Sequence, residues 1–178
     1  MRLLRSELLK IRSTNTWWVF GLIALALWAV TLFFNYVQTQ FLLDSSAAHG
    51  ELSPEEAEAV AAVGNVANLA ANLYTNGQFF GVLIVMLLGV VVVTSEFFHQ
   101  TVTTTFLTSP RRTAVILAKL AAAAILGVLF WLVTTALNLI VGPLILSSLD
   151  VPVQLGNGAV WRAIGLNGLA YLLWAIFG

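Results

Sequence analysis

The stretch richest in groups that could do chemistry is Ser95-Glu96-Phe97-Phe98-His99-Gln100-Thr101-Val102-Thr103-Thr104-Thr105-Phe106-Leu107-Thr108-Ser109-Pro110-Arg111-Arg112. A carboxylate, an imidazole, a run of hydroxyls and two guanidiniums offer proton transfer, ion pairing or docking to a protein surface. Proton transfer is the weakest of these. His99 stands beside two phenylalanines and reads as a packing residue, and neither G-x-S-x-G nor H-E-x-x-H occurs anywhere. The absence of cysteine removes thiol nucleophiles, disulfides and thiolate metal sites. No G-x-x-x-x-G-K-[ST] is present, so the chain has no phosphate cradle for hydrolysing ATP. What remains is docking, with Glu96 free to pair with Arg111 or Arg112 across the stretch. The bland alternative is a basic loop whose surface ion pair contributes little.

The elements that position this stretch follow from composition. Hydrophobic residues make up 60% of the chain and charged residues 9%, with a mean hydropathy of +0.93. Soluble domains run near ~45–50% apolar and ~25% charged, so the solvent here is the bilayer. A net charge of zero excludes an electrostatic footprint for nucleic acid. Spans of about 20 apolar residues are expected at 17–37, 79–97, 113–141 and 161–178. Val90 to Val93 would suit a strand in water, but an isolated strand in lipid leaves its backbone unpaired, which favours helix. The expected fold is therefore an all-α polytopic membrane protein. Ser46-Ala47-Ala48 resembles a signal-peptide cleavage site, yet the apolar run before it far exceeds the usual ~7–15 residues.

Charge sets the orientation. Arg2, Arg5, Lys10 and Arg12 precede the first span, Arg111, Arg112 and Lys119 flank the third, and Arg162 is the eighth basic residue. With the amino terminus in the cytoplasm, seven of these eight lie inside, which predicts external segments at 38–78 and 142–160 and a cytoplasmic loop at 96–112. His49 and His99 then sit on opposite sides and share no metal. In 1–15, Leu4, Leu8 and Ile11 form one helical stripe among basic residues, which predicts an interfacial helix attracted to anionic lipid.

In the first external segment Ser53-Pro54-Glu55-Glu56 reads as a capping box. Further on, Val66, Leu69 and Leu73 make an apolar stripe beside a polar one of Asn65, Asn68 and Asn72, predicting a second helix there. That polar stripe reads as a solvated face or, less simply, as the lining of an exit route. At depth, Asn138, Asn167, Thr134 and Thr135 are placed to bond across helix interfaces, with Asn138 and Asn167 also candidates to line a pathway. Lys119 is placed to snorkel toward the cytoplasmic surface. No acid lies mid-span, which argues against ion coupling and for energy supplied from elsewhere.

The segments LLRSELLKIRSTNTWW at 3–18 and TSEFFHQTVTTTFLTSPRRTAVILAK at 94–119 together resemble the ABC transporter type-2 permeases. The likeness extends over the whole chain, and by it the family's fifth and sixth spans and the end of the fourth are expected to be missing. The resemblance implies an exporter subunit in the bacterial plasma membrane that pairs with a second permease chain and is driven by a separate ABC ATPase. The partner uses ATP and magnesium, and this chain binds no cofactor itself. It further implies that 96–112 is the coupling loop, with Glu96, Thr101, Pro110, Arg111, Arg112 and Lys119 as coupling residues. The helix carrying Arg2, Arg5, Lys10 and Arg12 would be a second contact with the ATPase. The alternative function is a membrane-anchored interaction or regulatory protein without transport activity.

Overall fold

The computed structural model describes residues 2–13, 16–47, 55, 65–98 and 112–178. These residues are almost wholly helical, with no strand among them. The helices are α1 (Arg2–Ser13), α2 (Thr16–Ala47), α3 (Val66–Tyr74), α4 (Gln78–Phe98), α5 (Arg112–Ser148) and α6 (Gly158–Phe177). Four helical stretches are long and apolar enough to cross a membrane: α2, α3 with α4, α5, and α6. The chain is thus an all-α, multi-pass membrane protein by length and composition. Val90 to Val93 lie inside α4, where the helix satisfies its own backbone.

Two helices run well past the spans expected at 17–37 and 113–141. The 32 residues of α2 extend about 48 Å at ~1.5 Å each, against a hydrocarbon core of ~30 Å. Apolarity fades after Val37, but no glycine or proline follows before Gly50, so nothing in 38–47 stops the helix. Local bonds reinforce it there: Thr39 Oγ1 donates to the Asn35 carbonyl at 2.8 Å and Gln40 Nε2 to the Tyr36 hydroxyl at 3.0 Å. α5 likewise continues through Pro143 to Ser148. Proline removes one backbone donor, a loss membrane helices tolerate.

The chain divides into two compact units. In the unit made of Met1–Ala26, Phe79–Trp131 and Gly168–Gly178, the core is Val85, Tyr171 and Ala175, with Val82, Phe130 and Trp131 packed against it. Glycine makes this packing close. A Cβ on Gly127 would lie 2.7 Å from the Ala175 Cβ and 2.9 Å from the Tyr171 carbonyl, while one on Gly81 would collide with the Tyr171 hydroxyl. Without a hydrophobic drive between helices in lipid, such small-residue contacts supply the van der Waals energy of association.

The other unit comprises Leu27–Gln78 and Leu132–Asn167. Its helix ends are capped by side chains and turns. Asn65 caps α3 by accepting from the Ala67 N–H at 2.9 Å, and Asn157 caps α6 by accepting from the Ala159 N–H at 3.0 Å. α5 ends in a Schellman motif: Val151 N–H reaches the Leu146 carbonyl at 2.9 Å and Asp150 N–H the Ser147 carbonyl at 3.4 Å. Asp150 takes the left-handed position at φ 55, and the buried pair Leu146 and Val151 completes the motif. Of the expected capping box at 53–56, only Glu55 lies among the described residues, and it is helical.

Candidate functional site

The unit containing α1 brings together two residues far apart in sequence. Lys119 Nζ lies 3.1 Å from Glu7 Oε2, and Lys10 Nζ lies 3.0 Å from Glu7 Oε1. The Glu7 side chain is 8% exposed and that of Lys119 11%, whereas Lys10 is 52% exposed. The pair therefore fastens α1 to α5. The reason lies in Lys119: an ammonium on an apolar helix must either reach water or meet an opposite charge. Snorkelling was the expectation, but a carboxylate stands within hydrogen-bond reach and holds it instead. Glu7 was not singled out from sequence. Its signal was its isolation as the only acid in a basic helix, three residues before a lysine.

The exposed side of α1 is different in kind. Arg5, Leu9 and Arg12 are all exposed. At ~100° per residue they fall within about 60° of one another, roughly opposite Glu7.

The expected coupling residues divide as follows. Glu96 falls in the last turn of α4, which runs on to Phe98, and Arg112 is the first residue of α5. Thr101, Pro110 and Arg111 lie outside the described residues, as does any pairing of Glu96 with Arg111. Lys119 sits two turns into α5 on the Glu7 carboxylate. Of the interfacial basic residues, Arg2, Arg5, Lys10 and Arg12 all belong to α1.

The second unit contains a buried polar network centred on Asn138, which is 1% exposed. Its Oδ1 accepts from the Trp28 indole N–H at 2.7 Å, and its Nδ2 donates to the carbonyls of Tyr74 at 3.1 Å and Asn76 at 3.0 Å. Those two carbonyls belong to the turn that separates α3 from α4, where Gly77 takes φ 80 and helical bonding is interrupted. A break between two helices leaves carbonyls without their helical partners, and where they are buried they must find donors elsewhere. Asn138 supplies them from α5. Asn76 extends the network by donating to the Trp28 carbonyl at 3.2 Å and accepting from Asn35 Nδ2 at 2.9 Å. Tyr74 adds a bond from its hydroxyl to the Val153 carbonyl at 2.8 Å, and its ring occupies the space a Cβ on Gly142 would need.

Asn138 was expected to bond across a helix interface, and these are such bonds. Trp28, Asn35, Tyr74 and Asn76 were missed, although the Asn76-Gly77 dipeptide is itself a turn signal. Asn167 is 3% exposed, and among the described residues neither its Oδ1 nor the Thr135 hydroxyl has a hydrogen-bond partner. On α3, Leu69 and Leu73 are buried while Asn68 and Asn72 are exposed, so the two stripes do separate into inner and outer faces. Asn65 leaves the polar stripe to serve as the cap. Among the described residues no group of three His, Cys, Asp or Glu side chains is placed to hold a metal ion.

No protein-family model, curated protein or solved structure matches this chain.

Proposed function

We propose that this chain is a permease subunit of an ABC exporter, driven by a separate ATPase that engages it from the cytoplasm. The observation that carries the reading is the Glu7–Lys119 pair, 3.1 Å long and almost fully buried. A motor outside the membrane does work on a permease by pushing peripheral elements that are rigidly joined to spans. α1 is such an element, tied to α5 by charge rather than by loose apolar contact. The resemblance of 94–119 to the family's coupling loop supplies the second support, with Glu96 and Arg112 at its two ends. In this mechanism ATP-driven closure of the ATPases moves the loop and α1 together, α5 follows through Lys119, and the pathway between two permease chains changes state.

The test is gentle-detergent purification of the tagged chain from its native membranes, with mass spectrometry of what accompanies it. The expected companion is an ATP-binding-cassette ATPase whose hydrolysis is stimulated by the wild-type chain and not by Glu96→Ala. A companion of another class, or unchanged stimulation in Glu96→Ala, overturns the coupling assignment. A tag after Gly50 reachable only from outside the cell is expected; cytoplasmic access would reverse the topology on which the coupling loop depends.

A further inference from the structure

We propose that the outward face of α1 is a binding surface for anionic phospholipid headgroups, and that Lys119 makes it so by withdrawing the helix's one carboxylate. The inference does not depend on the transport reading. α1 carries four basic residues and a single acid, Glu7. Left on the surface, that acid would repel phosphate. It is instead turned inward onto Lys119, with its side chain only 8% exposed, and of the helix's own cations it also meets Lys10. Arg5 and Arg12 lie on the opposite side, are exposed, and take part in neither of these ion pairs. Leu9, 56% exposed, sits between them.

Two guanidiniums flanking an aliphatic side chain suit a lipid boundary, where cations meet phosphates and the apolar group enters the acyl margin. Position supports the same occupant. α1 ends at Ser13 and the first candidate span begins at Trp17, which keeps the end of the helix that carries Arg12 within reach of the headgroups. The tilted pair Trp17 and Trp18, with ring centroids 4.6 Å apart, opens that span with aromatic side chains of the kind that favour the membrane interface. Helix register also puts Arg5 and Arg12 beside the Leu4–Leu8–Ile11 positions, where basic residues of surface-lying helices are best placed to snorkel.

Because the chain has no cysteine, Ser13→Cys at the end of α1, which leaves Arg5, Leu9 and Arg12 unchanged, can carry a single fluorophore. Reconstituted in nanodiscs, the label is quenched by brominated phosphatidylglycerol or brominated phosphatidylcholine at equal mole fraction. The expected result is stronger quenching by phosphatidylglycerol, with the preference falling about fivefold for each of Arg5→Gln and Arg12→Gln. Arg5→Lys and Arg12→Lys should retain most of it, which guards against a folding defect in the glutamine variants. Lys119→Gln should also lower the preference, although Lys119 is not on the lipid side, because it frees Glu7. The exchange Glu7→Lys with Lys119→Glu should preserve it. Equal quenching by the two lipids would overturn the proposal, as would a preference unmoved by Arg5→Gln with Arg12→Gln. In either case an acidic protein surface becomes the better occupant. A preference indifferent to Lys119→Gln would remove the role given to the ion pair.

Discussion

Replacing Asn138 with leucine is expected to unfasten the turn between α3 and α4 without leaving a large void. Leucine roughly conserves volume, so the change isolates the loss of three bonds: from Trp28 Nε1 at 2.7 Å, to the Tyr74 carbonyl at 3.1 Å and to the Asn76 carbonyl at 3.0 Å. Hydrogen bonds between membrane helices contribute on average ~0.6 kcal/mol and at most about 1.7. Three lost together amount to roughly 2 to 5 kcal/mol, the upper figure applying if both carbonyls stay buried without a donor. Reversible unfolding in mixed detergent micelles, followed by the fluorescence of the six tryptophans, would measure it. Trp28→Phe removes only the indole donor. In a double-mutant cycle, Trp28→Phe and Asn138→Leu should couple by about 0.6 to 1.7 kcal/mol. If Asn138→Leu stays within ~0.5 kcal/mol of wild type, or the two changes simply add, the network does not hold this turn, and the argument from unsatisfied carbonyls fails.

Glu7→Gln should speed amide hydrogen exchange in α1 by about tenfold or more, since a charge-assisted bond is worth ~1.5–3 kcal/mol; unchanged protection would mean that apolar packing alone holds the helix. Gly127→Leu should lower stability by about 1–3 kcal/mol, through contact with Ala175 and the Tyr171 carbonyl. Gly127→Ala should fall between it and wild type, and a neutral leucine variant in the same unfolding assay would refute the close packing. At Asp150, φ 55 predicts opposite signs for two substitutions. Glycine should raise thermal stability by up to ~1 kcal/mol and valine should lower it, because the left-handed region costs an ordinary residue ~1–2 kcal/mol. Valine matching glycine would exclude that conformation.

Helix and span were both legible in one dimension, because each depends on the identity of consecutive residues, the second against a fixed bilayer thickness. The four apolar stretches, α1 and the stripe of α3 could be read this way. Helix ends were read less well. A count of about 20 apolar residues marks what a bilayer needs, while a helix stops only at a breaker or a cap, so α2 and α5 run past Val37 and Val141.

What sequence could not supply was the identity of partners across long separations. Glu7 and Lys119 stand 112 positions apart and Trp28 and Asn138 stand 110 apart, and many other pairings would satisfy the same charges and amides. Asn138 was recognisable as a polar group needing a bond at depth. Which carbonyls it would serve depended on the α3–α4 turn folding against α5. Lys119 was recognisable as a cation needing relief, and the chain alone offered water as the nearest answer. Tertiary structure brought a carboxylate closer. Residue type determined which groups must be satisfied, since burial of an unpaired charge or amide is costly whatever the fold. Only packing decided with whom, because hydrogen bonds and ion pairs act over a few ångströms and the helices had first to be placed.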